Sequence, residues 1–422
     1  MSIMSLSSAE SRTSREPAPA RRDALGTAAA PIAVAVVGAG NIADYHISIL
    51  RELSGRGRAI EVVGVCEPNR RRLDACLERW RIPAGAASLG GLFKEARPDV
   101  VHLLVPPPLH FEAAAEALEG GLNVLLEKPM ALRAEECSRL LDLAETKRLR
   151  LGVNHNAVYH PLFRRLLRDI SEKKLGAIHH VVSFNNLPLS QLESGDHDHW
   201  MFRHPENVLF EQGPHPMSQI CRLLGGVIDV SGRGLSDRRL RNGGLFHSSW
   251  QFEMECERGT ASLFMGFGQP FPEAWLHVLG EDGSVRIDLL NDTYVLDRRT
   301  KYIDPLDSTL RPIGQAVQAT RSSLVKFARY GMSTLRLTGR SDAYYQGMRD
   351  SIADFYDGFA IDRPEDDSAR LGRMVIDGLE RAATAHRQRT DLSGSAVGET
   401  QPPPAVAAVP PPQKPADRDP EV

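Results

Sequence analysis

Two short segments of this chain carry residue types at spacings that do chemistry. The first, Gly38-Ala39-Gly40-Asn41-Ile42-Ala43, follows the apolar run 32–37 and leads into Asp44-Tyr45-His46. Gly38, Gly40 and Ala43 are small at the three places where a strand-to-helix turn receives a diphosphate. The first glycine permits the turn, the second lets phosphates approach the backbone, and the third small residue lets helix pack closely on strand. Helix amides and the helix dipole then hold the negative charge. Gly38, Ala39, Gly40, Asn41 and Ile42 are therefore the candidates to bind a dinucleotide. Glu67 ends the next apolar run, where a carboxylate takes the adenosine ribose hydroxyls and repels a 2′-phosphate. NAD is the expected cofactor. NADP stays open, because Arg70-Arg71-Arg72 follow at once and can accept that phosphate unless they form a solvated helix face.

The second segment is Glu127-Lys128-Pro129, directly after the apolar Val124-Leu125-Leu126. In open parallel sheets ligands sit at the carboxyl ends of the strands, so this lysine belongs at the mouth of the same crevice. Desolvated beside a positively charged nicotinamide ring, a lysine has its pKa lowered toward the range of a working base. Glu127 is placed to hold the ribose or to orient Lys128. Asn154, His155 and Tyr159 follow a further strand end facing the crevice and are candidate substrate contacts. Dinucleotide loop and lysine together point to hydride transfer.

The elements that must position these groups can be read from periodicity. From residue 31 to about 150, β-rich runs (33–37, 60–66, 100–105, 123–126) alternate with helical patterns, the signature of βαβ units and a parallel sheet. Ile42, His46, Ile49, Leu50 and Leu53 recur at helical spacing, so one face of the first helix packs on that sheet. Beyond residue 152, after a helix opened by Pro161, β segments dominate at 178–185, 248–255, 261–267, 276–280 and 284–288. Tight turns such as Glu281-Asp282-Gly283 imply antiparallel hairpins. Residues 313–359 and 368–388 read as helical. The expected fold class is α/β, with an N-terminal Rossmann dinucleotide-binding domain over 31–152 and a C-terminal α+β domain over 153–392. The latter holds a large, mostly antiparallel open sheet. A disordered leader (1–30) and a disordered Pro-rich tail (393–422) flank the two.

The Gly38–His46 loop, the stretch Val105-Pro106-Pro107-Pro108-Leu109-His110, the Glu127-Lys128-Pro129 tripeptide and the Asn154-His155 strand end resemble the glucose–fructose oxidoreductase/inositol dehydrogenase (Gfo/Idh/MocA) family. The resemblance runs over about 32–390 and is strongest up to Leu187. It implies a second domain whose sheet lines a substrate cleft and often mediates oligomers. It also implies NAD(P)-dependent oxidation or reduction at a carbinol of a sugar, cyclitol or nucleotide-sugar. It puts Pro106 and His110 near the nicotinamide and its ribose and makes Lys128 the catalytic lysine. Where the family tends to carry an aspartate–histidine pair, this chain offers Glu211-Gln212-Gly213-Pro214-His215. Glu211 and His215 would share a helical face, the imidazole taking the hydroxyl proton while the carboxylate orients it. Pro214 and Pro216 bracket the histidine, which favours instead a place in the first turn of a helix over 216–224. A helix N-terminus disfavours a protonated imidazole and leaves it a proton acceptor.

Composition sets the outer bounds. Over 422 residues, 42% hydrophobic and 25% charged content are ordinary, and a net charge of −3 gives no pull toward nucleic acid or anionic membrane. No apolar run reaches the roughly 18 residues of a membrane helix. Five scattered cysteines without a CxxC pair suggest neither a disulfide framework nor a zinc site. Asp196-His197-Asp198-His199 is like a metal-ligand cluster but lacks an accompanying ligand set, so no metal is expected and His199 is a candidate substrate contact. The mixed apolar and basic segment 322–340 is expected to pack on its own domain or a neighbouring subunit rather than on a membrane. The expectation is a cytoplasmic homo-oligomer, assembled through the C-terminal sheet, acting on a small polyhydroxylated molecule. Two alternatives keep the cofactor: a glycosidase or lyase that oxidises its substrate transiently, and a non-catalytic dinucleotide-sensing regulator.

Overall fold

The computed structural model describes residues 31–396 apart from 270, 299–301, 336–339, 341 and 361–365. The expected leader, and the tail beyond residue 396, lie outside the described residues. The first half runs β1 (Ile32–Val37), α1 (Asn41–Gly55), β2 (Ile60–Cys66), α2 (Arg70–Trp80), β3 (Ala84–Ala86) and α3 (Leu89–Glu95). It continues with β4 (Val100–Leu103), α4 (His110–Glu119), β5 (Asn123–Glu127), α5 (Ala134–Lys147) and β6 (Leu151–Asn154). Every pairing is parallel, in the order β3-β2-β1-β4-β5-β6. The strand order reverses between β1 and β4, the crevice in which open α/β sheets take ligands. Apart from His102 in β4, the central strands are apolar because helices cover both faces: Val34, Val36, Val101, Leu103, Val124 and Leu126 are fully buried. α1 buries the face carrying Ala43, His46, Ile47, Ile49, Leu50 and Leu53.

The second half holds α6 (Pro161–Ser171), β7 (Ile178–Leu187), α7 (Ser190–Ser194), α8 (Asn207–Gln212) and α9 (Pro214–Leu224). Six strands follow: β8 (Val227–Arg239), β9 (Leu245–Cys256), β10 (Gly259–Phe267), β11 (Glu273–Gly280), β12 (Gly283–Asp288) and β13 (Thr293–Arg298). The chain then forms α10 (Asp304–Thr334), α11 (Ala343–Ala360) and α12 (Asp367–Ala396). The sheet order is β13-β12-β11-β7-β10-β9-β8, antiparallel except for the β7–β10 pair. Its two outer strands, β8 and β13, are absent from the sequence reading. Edge strands carry charge and glycine that discourage further pairing, and these erase the apolar alternation by which strands are recognised.

Two corrections concern boundaries. α12 extends helix to Ala396, so residues 393–396 are not part of an unstructured tail. The break near residue 152 is not a spatial division, because the C-terminal helices return to the first sheet. Tyr345, Met348, Ile352, Phe355 and Tyr356 of α11 pack on Val34, Ile60, Val100 and Leu125, giving that sheet face its cover. A buried ion pair, Arg150 to Asp366 at 2.6 Å, lies on the same seam.

Candidate active site

The glycine loop is built for close approach. Gly38 has φ +98°, and a Cβ there would stand 2.7 Å from the Leu104 carbonyl oxygen on neighbouring β4, so only glycine fits. Gly40 caps α1 without a side-chain hydrogen bond, and a Cβ there would meet nothing within 4 Å. The α1 amides are thus open to an anion at the strand-order reversal, which suits the diphosphate of NAD. Glu67 closes the loop from behind: its carboxylate accepts from Ala39 N and from Asn69 N, both at 3.0 Å. Lone pairs remain on that carboxylate for ribose hydroxyls. Of the arginines beyond it, Arg70 is spent on Asp74 at 3.0 Å.

Glu127 and Lys128 sit where β5 ends, and each is held by groups from elsewhere in the chain. Glu127 Oε1 accepts from His46 at 2.9 Å and from Asn154 Nδ2 at 2.6 Å. Burial alone would raise its pKa, but His46, Asn154 and Lys128 outweigh it and hold the carboxyl below its ordinary value. Behind His46 a buried chain continues, Nδ1 to His102 Nδ1 at 2.8 Å and His102 Nε2 to the Tyr356 hydroxyl at 2.8 Å. An ionised carboxylate only accepts, so His46 Nε2 donates to Glu127. Burial, then His46, pushes the His102 pKa far down.

Lys128 Nζ donates to the Glu211 backbone oxygen at 2.9 Å and to its Oε1 at 3.1 Å. The other carboxylate oxygen of Glu211 accepts from Trp200 Nε1 at 2.7 Å. Glu211 therefore anchors the lysine across the crevice, and the structure shows no hydrogen bond from it to His215. The expected carboxylate–imidazole pair is replaced by a lysine–carboxylate–indole clamp. The reason lies in the backbone: α8 ends at Gln212 and α9 begins at Pro214, so the two side chains do not share one regular helix.

His215 lies in the first turn of α9. Burial foremost, and then the Lys128 charge, push its pKa down to about 3, and burial pushes His155 down to about 4. Both rings are neutral at ordinary pH. His155 Nε2 and Asn154 Oδ1 are buried without a hydrogen-bond partner. Such orphaned atoms are rare in folded proteins, and their place beside Lys128 and Glu127 fits a polar ligand.

Other expected contacts are spent on the protein itself. His110 is buried, with Nδ1 facing the Pro129 carbonyl at 2.6 Å and Nε2 facing that of Val105 at 2.8 Å, so neither nitrogen is turned to a cofactor. It ties the end of β4 to the Lys128–Pro129 turn. Tyr159 donates to Asp354 at 2.7 Å. His199 Nδ1 accepts from Met201 N at 3.4 Å, capping the short turn that presents Trp200. Pro106 is exposed at the β4 end. Among the described residues no group of three or more His, Cys, Asp or Glu is arranged to hold a metal. The sequence reading missed Trp200, His102 and Tyr356 altogether, and took His46 only as part of a buried face.

Fold and site together define a dinucleotide-binding protein whose polar groups converge between the strand ends of a Rossmann sheet and a helix start of a second domain. Residues 32–155 match the model of the GFO_IDH_MocA oxidoreductase family, which has an NAD-binding Rossmann fold. It is 28% identical over 250 residues to a dTDP-3,4-didehydro-2,6-dideoxy-alpha-D-glucose 3-reductase of Streptomyces violaceoruber, covering 58% of this chain and 71% of the relative. The WlbA dehydrogenase of Bordetella pertussis, solved with NADH and UDP-GlcNAcA, shares the fold at TM-score 0.67 and 19% identity over 86% of this chain and 97% of that one. Myo-inositol 2-dehydrogenase of Lactobacillus plantarum does so at TM-score 0.64 and 16% identity, over 85% and 98%.

Proposed function

We propose that this chain is an NAD(H)-dependent oxidoreductase acting at a carbinol carbon of a sugar, cyclitol or nucleotide-sugar. The observation that carries the reading is the clamp on Lys128, which fixes an ammonium at the end of β5 beside two neutral histidines. In this reading Gly38, Ala39, Gly40, Asn41, Ile42 and Glu67 hold the diphosphate and ribose, while Pro106, Glu127 and Lys128 border the nicotinamide end. When bound, the nicotinamide ring takes or gives the hydride.

The chain's own groups handle the proton. An ammonium has three donors, and two of those on Lys128 are spent on Glu211, which leaves one for a substrate oxygen. In reduction that proton goes to the carbonyl oxygen as hydride reaches carbon. Oxidation runs the same path backwards, the hydroxyl proton returning to the Lys128 amine, while the neutral His215, which makes no side-chain hydrogen bond among the described residues, offers a further polar contact to the substrate. Glu211 is a positioning residue. Asn154 and His155 are the substrate contacts this reading keeps, supported by their orphaned atoms, whereas Tyr159 and His199 are engaged with Asp354 and Met201. The sugar class is supported by the nucleotide-sugar relative named above.

The test is a screen of sugars, inositols and nucleotide-sugars for appearance or loss of reduced nicotinamide. Turnover with one of them is expected, at least 100-fold lower in Lys128→Ala with NADH affinity kept. Equal turnover in that variant would refute the assignment. A homo-oligomer through the C-terminal sheet belongs to the same reading, supported by the partly exposed stack of Phe264, Phe184 and Trp275. A cytoplasmic setting is supported by five free, buried cysteines. No helix among the described residues is long and apolar enough to cross a membrane.

A further inference from the structure

α10 is amphipathic the wrong way round for a surface helix. Its polar side faces its own chain: Gln318 exchanges two hydrogen bonds with the Leu296 backbone at 2.9 and 3.0 Å, and Gln315 and Arg311 hold Asp297. Farther along, Lys326 Nζ donates to the Leu290 oxygen at 2.7 Å. Asp307 is the helix's one buried side chain. The opposite side carries Ile303, Leu306, Leu310, Ile313, Val317, Leu324 and Phe327, with exposures from 44% at Leu310 to 76% at Phe327. Water faces a long apolar stripe.

The stripe has a period. Its members are spaced by alternating steps of three and four, with Thr320 filling the single polar place. This is the a/d repeat of a coiled-coil seam, held over three and a half heptads. Pro312 lies off the stripe. A surface helix that packs on its own domain shows a wider apolar face, turned inward. Here the seam is narrow and turned outward.

We infer that α10 pairs antiparallel with α10 of a second copy of this chain. The register follows from the sequence alone. With a two-fold axis beside Ala316, every a position meets a d position: Ile303 the partner's Phe327, Leu306 the partner's Leu324, Leu310 the partner's Thr320, and Ile313 the partner's Val317. In the same register the flanking Tyr302 and Tyr330, both exposed, fall beside each other at each end of the pair. At the axis itself the flanking residues are Gly314 and Ala316, small enough to let the helices close. The nine apolar side chains, about 150–200 Å² each and roughly half exposed or more, offer roughly 800 Å² per copy, the size of a standard interface. This inference stands apart from the redox reading, and its interface is the helix beside edge strand β13 rather than the sheet face.

Analytical ultracentrifugation of the full chain, with and without Ile313→Glu plus Val317→Glu, reads the pairing. Those side chains touch no core, so NADH binding serves as the check on folding. The wild type is expected to sediment as an oligomer and the double variant as the next smaller species. Ala316→Cys should give a disulfide-linked dimer under mild oxidation, while Thr309→Cys alone should not, because antiparallel pairing puts the partner's Ser323 there. The five native cysteines are buried and do not compete. A monomeric wild type, an assembly unchanged by the two glutamates, or no cross-link through Ala316→Cys would overturn the pairing. Binding of the monomer to anionic vesicles would likewise overturn it.

Discussion

Two glycines two residues apart should fail in different ways. At Gly38, alanine would place Cβ 2.7 Å from Leu104 O and 3.0 Å from Leu104 C, both backbone atoms of the sheet core. The left-handed φ of +98° adds about 1–2 kcal/mol for any L side chain. Overpacking against unyielding backbone adds about 1–3 kcal/mol. Gly38→Ala should therefore lose about 3 kcal/mol of folding stability. Gly40 differs in both respects. Its φ of −80° suits any residue, and no atom lies within 4 Å of a built Cβ. The unfolded-state gain from alanine and the loss of a tolerable N-cap roughly cancel, so stability should stay within about 0.5 kcal/mol. Cofactor binding should nonetheless suffer, since that empty space is where the diphosphate meets the α1 amides. Losing one charge-assisted hydrogen bond costs about 1.5–3 kcal/mol, a tenfold to hundredfold rise in Kd. Urea unfolding and NADH titration calorimetry on both variants read the two effects separately. Wild-type NADH affinity in Gly40→Ala would refute the phosphate placement, and wild-type stability in Gly38→Ala would refute the steric argument.

Further outcomes follow from the clamp and the neutral histidines. Trp200→Phe keeps an aromatic ring but removes the 2.7 Å bond to Glu211. With the lysine less well fixed, kcat should fall about tenfold at unchanged NADH affinity, whereas equal losses in kcat and binding would point to general disruption. His155 and His215, depressed to about 4 and about 3 by burial, stay neutral in the folded chain and take protons near 6.5 once unfolded. Depressed folded values mean that stability is intact above pH 6.5 and lost as pH falls toward those values. Each should account for about 2 kcal/mol of the loss between roughly pH 7.5 and 5. Asparagine at both positions should flatten the curve in urea unfolding, and an unchanged slope would mean that these rings are not held neutral.

How much of this was legible depends on where the partners sit. Gly38, Gly40 and Lys128 could be read because strand, turn and helix are contiguous there, and local spacing carries the chemistry. The lysine clamp could not, since Trp200 reaches Glu211 through irregular backbone with no period to betray it. His46 shows as a buried face, but its partners Glu127 and His102 come from two other strands, and Tyr356, which His102 meets in turn, comes from a helix some 250 residues after that strand. For α10, helical periodicity was visible while the direction of its apolar side was not. Only the packing of Gln315 and Gln318 on β13 shows which side faces outward.

The most direct measurement is a crystal structure of the chain with NADH and a substrate from the screen. The diphosphate is expected over Gly40 and the nicotinamide next to Lys128 and His155, with its reactive carbon about 3–3.5 Å from the substrate carbon. A ring turned away from Lys128, or a dinucleotide seated elsewhere, would contradict this arrangement.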